Sequence, residues 1–203
     1  MFDILAATKN AHKIEEFKEL LGAKDVTILS LLDFPDAPEV IEDGATFEEN
    51  ARKKATESSA FTGLATFADD SGLEVEALGG APGIQSARYA GPNASNEERI
   101  KKLLDNMKGA SSRKARFVCV IALANNGEVM ETFTGEVKGT ISEEPRGSNG
   151  FGYDPIFVPD GYTKTFAELD AEVKNKISHR ARAVKAALEF IEDELSTVDG
   201  FDE

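Results

Sequence analysis

The chain has one cysteine, no tryptophan and two histidines among its 203 residues. A lone thiol, Cys119, excludes an internal disulfide and a cysteine-based zinc cluster. It sits in the apolar run at residues 117–123 and reads as a core residue in a reducing compartment. A histidine-based metal site would need both His12 and His179. Long hydrophobic runs are missing as well. Residues 1–7 are apolar apart from Asp3, but they lack a basic lead and are too short for a signal peptide or a membrane span. The expectation is a cytoplasmic protein without a membrane partner. Positive charge is scarce: 23 Lys and Arg stand against 37 Asp and Glu, a formal net charge of -14. No basic stripe appears, so polymeric nucleic acid is a poor partner. A phosphorylated small molecule is still allowed, because a few cations in a cleft can reverse the field locally. Much of the acid gathers near the end, at Glu192, Asp193, Glu194, Asp199, Asp202 and Glu203. The expected organisation is one two-lobed domain over residues 1–195, with an acidic tail at 196–203.

What is present alternates strand and helix patterns. Residues 2–7 read as a buried strand, residues 11–21 as a helix with apolar positions at Ile14, Phe17, Leu20 and Leu21, and Gly22 as its stop. Residues 26–29 predict a second strand, and the Pro- and Asp-rich residues 33–44 an exposed connection. Helices over 46–59 and 95–107 are signalled by Thr46 with Glu49 and by Ser95 with Glu98, both at capping-box spacing. Residues 64–68 predict a strand ending in a polar turn, Asp69-Asp70-Ser71-Gly72, with the chain extended again over 73–78. Residues 114–123 and 128–140 predict two long strands joined at Asn125-Asn126-Gly127. A glycine-rich loop at 147–153, a short strand at 154–158, a single turn at 166–169 and a last helix from about 178 to 194 complete the pattern. This is a mixed α/β protein. Neither G-x-G-x-x-G in the first turn nor a Walker A loop anywhere is present, so any nucleotide is held by other means.

Four segments carry candidate chemistry. Thr8-Lys9-Asn10-Ala11-His12-Lys13 joins a buried strand to a helix start, where free backbone N–H groups suit an anion; the alternative is a capping turn beside a solvated lysine. Asp69-Asp70-Ser71 offers hard oxygen ligands for magnesium or manganese, with Glu42 and Asp43 available from another loop. In an extended chain the two acids point to opposite sides, so one can face a cleft while the other ties the loop down. Phe151, Gly152, Tyr153 and Asp154 form a thin aromatic loop, in which Phe151 or Tyr153 can stack on a base and Asp154 can accept from its edge. Lys174, His179 and Arg180 concentrate cations in an acidic chain, two of them in a first helical turn where the dipole disfavours them.

Taken together, Thr8-Lys9-Asn10-Ala11-His12-Lys13, Glu42-Asp43-Gly44-Ala45-Thr46-Phe47, Asp69-Asp70-Ser71-Gly72-Leu73, Ala81-Pro82-Gly83-Ile84-Gln85-Ser86, Gly150-Phe151-Gly152-Tyr153-Asp154-Pro155 and Ile177-Ser178-His179-Arg180 resemble the inosine/xanthosine triphosphatase family. These are the dITP/XTP pyrophosphatases that act on deaminated purine nucleoside triphosphates. The resemblance runs in order through nearly the whole chain; Ser148-Asn149 and the tail after Leu195 depart from the family pattern. It implies a two-lobed α/β fold, a long twisted mixed β-sheet with a deep central cleft, and a homodimer. It also implies magnesium-dependent hydrolysis of ITP, dITP or XTP to the monophosphate and pyrophosphate, with manganese as a substitute metal. By the same resemblance, Thr8 through Lys13 bind phosphate and Lys54 adds a triphosphate contact. Glu42 and Asp70 hold the metal, with Asp70 as general base and Ser71 as a substrate contact. Phe151 through Asp154 bind the base, Lys174 contacts substrate, and His179 and Arg180 read the 6-oxo edge. The residues alone leave two alternatives open: a hydrolase of modified pyrimidine triphosphates, and a non-catalytic nucleotide-binding regulator.

Overall fold

A computed structural model describes residues 2–21 and 26–198. Gly22 and the acidic side chains from Glu192 onward lie outside what it describes. Strand β1 (Phe2–Ala6) leads into helix α1 (Ala11–Leu21) and strand β2 (Val26–Ser30). Helix α2 (Phe47–Thr62), strand β3 (Ala65–Val75), helix α3 (Asn96–Asn106) and the long hairpin β4 (Lys114–Asn125) and β5 (Glu128–Ile141) follow. Short strand β6 (Phe157–Pro159) and helices α4 (Ala171–Ile177) and α5 (His179–Val198) complete the chain. The sheet order is β2-β1-β3-β4-β5-β6. β1 is parallel to both β2 and β3, and every pairing from β3 to β6 is antiparallel. The mixed sheet is flanked by helices, as the α/β pattern requires.

Local chemistry explains the elements. Thr46 caps α2 by accepting from the Glu49 N–H, and Gly63 closes the helix in the left-handed region at φ 68°. Ser95 and Glu98 form a complete capping box on α3. Asn126 and Gly127, with φ 50° and 80°, make the tight turn between β4 and β5.

Long strands serve three packed clusters, and this creates the cleft. Phe67 of β3 packs on one face of the sheet with Phe17, Ile121 and Val184. Its neighbour Ala68 packs on the other face with Phe47, Ala51 and Val120. Farther along, Leu73 and Val75 enter a separate cluster with Leu103, Phe117 and Phe157. Between these lobes lie Asp69, Asp70, Ser71 and Gly72. β1 ends at Ala6, opposite Phe67. Beyond that point β3 keeps β4 on one side; on its other side Asp70, Ser71 and Gly72 line the cleft before Glu74 bridges to Pro82. This is the crevice beyond the carboxyl ends of parallel strands.

Three local expectations are corrected. Asp69-Asp70-Ser71-Gly72 is not a turn: β3 runs through it as one 11-residue strand. Charge in a buried strand is tolerated because cations meet it on both faces. Gly72 fits there because a side chain would meet the Gly83 carbonyl oxygen at 2.4 Å and Ser86 Oγ at 2.5 Å. Residues 154–156 form a 3-10 turn, not a strand, and β6 begins only at Phe157. Pro155, at the start of that turn, cannot donate to a ladder. Finally, residues 171–177, given no element by the sequence pattern, form the separate helix α4, which carries Lys174 and ends at extended Ser178 before α5 begins.

Candidate active site

Asp69 and Asp70 point to opposite faces of β3, as the strand pleat dictates. Asp69 is fully buried and accepts from Lys13 Nζ at 2.9 Å, from Arg180 Nη2 at 3.1 Å and from Ser71 Oγ at 3.2 Å. Burial pushes its carboxyl up, but Lys13, Arg180 and Lys54 outweigh that and hold it far below the usual carboxylate range. Asp70 faces α2, where Asn50 Nδ2 donates at 3.1 Å and Lys54 Nζ at 3.5 Å. Burial raises the Asp70 pKa; Lys54 opposes this, and the nearby Glu42 carboxylate adds to it. Lys54 also donates to Glu42 Oε1 at 3.0 Å, so one ammonium spans the two acids.

Asn50 organises this corner. It is fully buried, and its Oδ1 accepts from the Gly44 N–H at 2.8 Å while its Nδ2 holds Asp70. One amide therefore fixes both the strand carboxylate and the loop that carries Glu42. Arg88 donates to the Glu42 backbone carbonyl from the other lobe.

The opposite wall is a chain of alternating charges. Arg180 is 2% exposed; its Nη1 donates to Glu16, and its Nη2 to Asp69 and to Ser71 Oγ. Lys174 donates to Glu16 Oε1 and to Asp154 Oδ2, both at 2.7 Å. Burial works against its charge, but Asp154 and Glu16 keep it protonated above the ordinary lysine range. His179 stacks on Phe117 at 4.7 Å between ring centroids. Burial, with Arg180 and Lys174 nearby, depresses its pKa well below the usual value, so it is neutral. Two buried nitrogens have no partner among the described residues: His179 Nδ1 and Arg180 Nε. The unfavourable dipole position of Arg180 is thus offset by Glu16 of α1 and Asp69 of β3, and His179, expected as a cation, is neutral there.

The loop between β1 and α1 is partly self-satisfied. Asn10 Oδ1 accepts from the His12 and Lys13 N–H groups, and Thr8 Oγ1 accepts from Asn10 N–H. That is helix capping. Among the described residues the Lys9 and Ala11 N–H groups are left for an anion, beside the Lys9 and Lys13 side chains. In the aromatic loop, Asp154 Oδ2 accepts from the Phe151 N–H at 2.9 Å as well as from Lys174. It pins the loop, and a base edge can reach only its other oxygen. Gly150, at φ 71°, is required there, since a side chain would meet Asp154 Oδ2 at 2.1 Å. Tyr153 is 4% exposed and packs in the core with its hydroxyl donating to the Ser86 carbonyl oxygen, so Phe151 is the aromatic free to stack.

These walls enclose a cleft of about 800 Å³. Of the residues expected at the site, all but Ala11, Asp43 and Asp69 line it; Asp43 is paired with Lys53 outside the cleft, and Asp69 is taken up by Lys13 and Arg180. Ala11 is exposed on α1, and its part is confined to the backbone. The match to the Ham1 family model runs over residues 4–190, which takes in every one of these walls. The chain belongs to the Ham1 family. It is 49% identical over 183 residues to a dITP/XTP pyrophosphatase of Exiguobacterium sp., covering 90% of this chain and 93% of that one. It is 50% identical over 186 residues to a dITP/XTP pyrophosphatase of Geobacter sulfurreducens, covering 91% and 94%. The structure of a HAM1 protein from Coxiella burnetii superposes with a TM-score of 0.86 at 42% identity, covering 95% of this chain and 100% of that one. The Staphylococcus aureus Ham1 protein gives 0.85 at 42% identity, covering 95% and 99%.

In this Ham1 chain, sequence reasoning passed over Asn50 and Glu16. A signal existed for Asn50: with Lys54 and Ser58 it marks a polar stripe at helical spacing beside the apolar Phe47, Ala51 and Ala55. Glu16 carried none, since an acid one turn after Lys13 reads as a solvated helix residue. Among the described residues no helix is long and apolar enough to cross a membrane.

Proposed function

We propose that this protein hydrolyses deaminated purine nucleoside triphosphates, ITP, dITP and XTP, to the monophosphate and pyrophosphate, with a divalent metal, as a cytoplasmic homodimer. One observation carries the reading: a single cleft holds an anion-ready strand–helix loop, the Asp70–Lys54–Glu42 cluster and an exposed-edge aromatic backed by unpartnered His179 and Arg180 nitrogens. A triphosphate spans the first two, and a purine reaches the third.

The residues present fit magnesium. Glu42 and Asp70 are two carboxylates sharing one lysine charge, and the Glu42 charge disfavours the ionised form of Asp70. Among the described residues no group of three or more metal-ligating side chains forms. The carboxylate pair of Glu42 and Asp70 suits magnesium, which commonly takes one or two carboxylates and completes its shell with substrate phosphate oxygens and water; manganese suits the same donors. Bound there, the metal supplies neutralisation of the charge that builds between the α- and β-phosphates.

The chain does the rest. Asp70 takes the proton of the water that attacks the α-phosphorus. Lys54, and Lys13 if substrate draws it from Asp69, offset the charge of the departing pyrophosphate. Selectivity follows from burial. Arg180 Nε is a donor only, and leaving it unmatched costs about 1–3 kcal/mol. A 6-oxo group on the base relieves that cost; the 6-amino group of adenine does not. The test is turnover of ITP, XTP, dUTP and the four standard triphosphates with magnesium, quantifying pyrophosphate against orthophosphate. Preference for ITP and XTP with pyrophosphate release supports the reading; orthophosphate release, or a preference for dUTP, overturns it.

A further inference from the structure

His12 belongs to the loop read as phosphate-binding, yet its ring is not placed for phosphate. It lies flat on Phe151, with ring centroids 5.2 Å apart and an interplanar angle of 10°. The His12 N–H is held by Asn10 Oδ1, which fixes the backbone at the start of α1. The ring is exposed and makes no hydrogen bond among the described residues. Phe151 is fixed from below: its N–H is bonded to Asp154, and the Lys174 ammonium and Arg180 guanidinium lie 5.0 Å and 5.8 Å from its ring centroid. One face of the stacking aromatic is thus covered by an unanchored imidazole from the opposite lobe.

We propose that His12 and Phe151 are the two walls of a slot for the purine ring, closed on each other in this structure, and that His12 is a base-stacking residue rather than a phosphate contact. This rests on the reading of the cleft as a purine nucleotide site. A planar base between two rings needs the outer rings about 7 Å apart, twice the roughly 3.5 Å contact distance of carbon atoms. The pair therefore has to part before a base can enter. The backbone on both sides is fixed, so the movement falls to the His12 side chain, whose torsions are free because nothing else binds it. Stacking tolerates any purine, so this wall supplies affinity, while discrimination stays with His179 and Arg180.

The experiment compares parent protein, His12→Ala and His12→Phe with two probes, ITP and inorganic tripolyphosphate. Base–aromatic stacking predicts that His12→Ala binds ITP about five- to 150-fold more weakly, read as Kd by calorimetry and as KM in turnover. Inhibition by tripolyphosphate, which has no base, stays at the parent value. His12→Phe, which restores a planar ring, recovers most of the ITP affinity. Weakening of tripolyphosphate and ITP alike in His12→Ala makes His12 a phosphate contact and overturns the proposal, as does an unchanged Kd for ITP. A parent that binds ITP but does not turn it over, with His12→Ala still weaker, keeps the slot and overturns the hydrolase reading instead. A parent that binds no purine nucleotide overturns both.

Discussion

Asp69 and Asp70 are adjacent on β3 and live in opposite electrostatic surroundings. Asp69 is pressed between Lys13 and Arg180 and stays ionised, while Asp70 shares Lys54 with Glu42 and has a raised pKa. The pleat of one strand thereby separates a structural carboxylate from the one proposed as the base. Replacing Asp70 by Asn keeps the shape and the Asn50 contact region but removes the base. Turnover of ITP is expected to fall about 10²- to 10⁴-fold, with ITP binding close to the parent. Full activity in the variant would remove Asp70 from the chemistry.

Asn50→Leu removes the amide that joins Asp70 to the Glu42 loop. It leaves the Gly44 N–H without its acceptor and Asp70 with only the Lys54 ammonium as donor, at 3.5 Å. Stability is expected to drop by about 1–3 kcal/mol, with a lower kcat for ITP. Thermal unfolding and steady-state kinetics check both, and a variant with parental kcat would show that Asp70 needs no such support.

Arg180→Ala strips partners from Asp69 and Glu16 in a dry setting. Breaking a buried pair in this way costs about 3–5 kcal/mol, measurable by denaturant unfolding. The same change removes the nitrogen that a 6-oxo group would satisfy, so the ITP/ATP ratio of kcat/KM is expected to shrink. An unchanged ratio in folded protein would end that role for Arg180.

The stability of the fold carries a pH signature of His179. Folded, His179 is buried and neutral with a depressed pKa; unfolded, it takes up a proton below about pH 6.5. Its contribution is fully present above that value and is lost as pH falls from about 6.5 toward the depressed folded value. Glu16 and Asp69, also depressed, act lower: their contribution is present above about pH 4 and is lost as pH falls below it. His179→Gln is expected to flatten the upper window and leave the lower one. Equal slopes in parent and variant between pH 7 and 5 would contradict a buried neutral imidazole.

The elements with local signals were legible in the sequence. Thr46 and Ser95 declared helix starts, Asn126-Gly127 declared the hairpin, and the opposed directions of Asp69 and Asp70 followed from extended geometry. What could not be read depended on partners distant in sequence. A strand through two aspartates is unreasonable until Lys13, Arg180 and Lys54 are beside it. The seven-residue α4 is too short to declare a period. Tyr153 and Asp154 looked like base contacts in a glycine-rich loop, yet Ser86 and Lys174, far along the chain, draw the tyrosine into the core and one carboxylate oxygen into the loop pin. Glu16 acquires its place only when α1, α4 and the start of α5 converge.

The central claim is attack by water on the α-phosphorus of a purine triphosphate bound in this cleft. Hydrolysis of ITP in water enriched in heavy oxygen, followed by mass spectrometry of both products, tests it directly. The heavy atom is expected in the inosine monophosphate, with unlabelled pyrophosphate. Label in the pyrophosphate would place the attack on the β-phosphorus, and labelled orthophosphate would place it on the γ-phosphorus; either result would contradict the account.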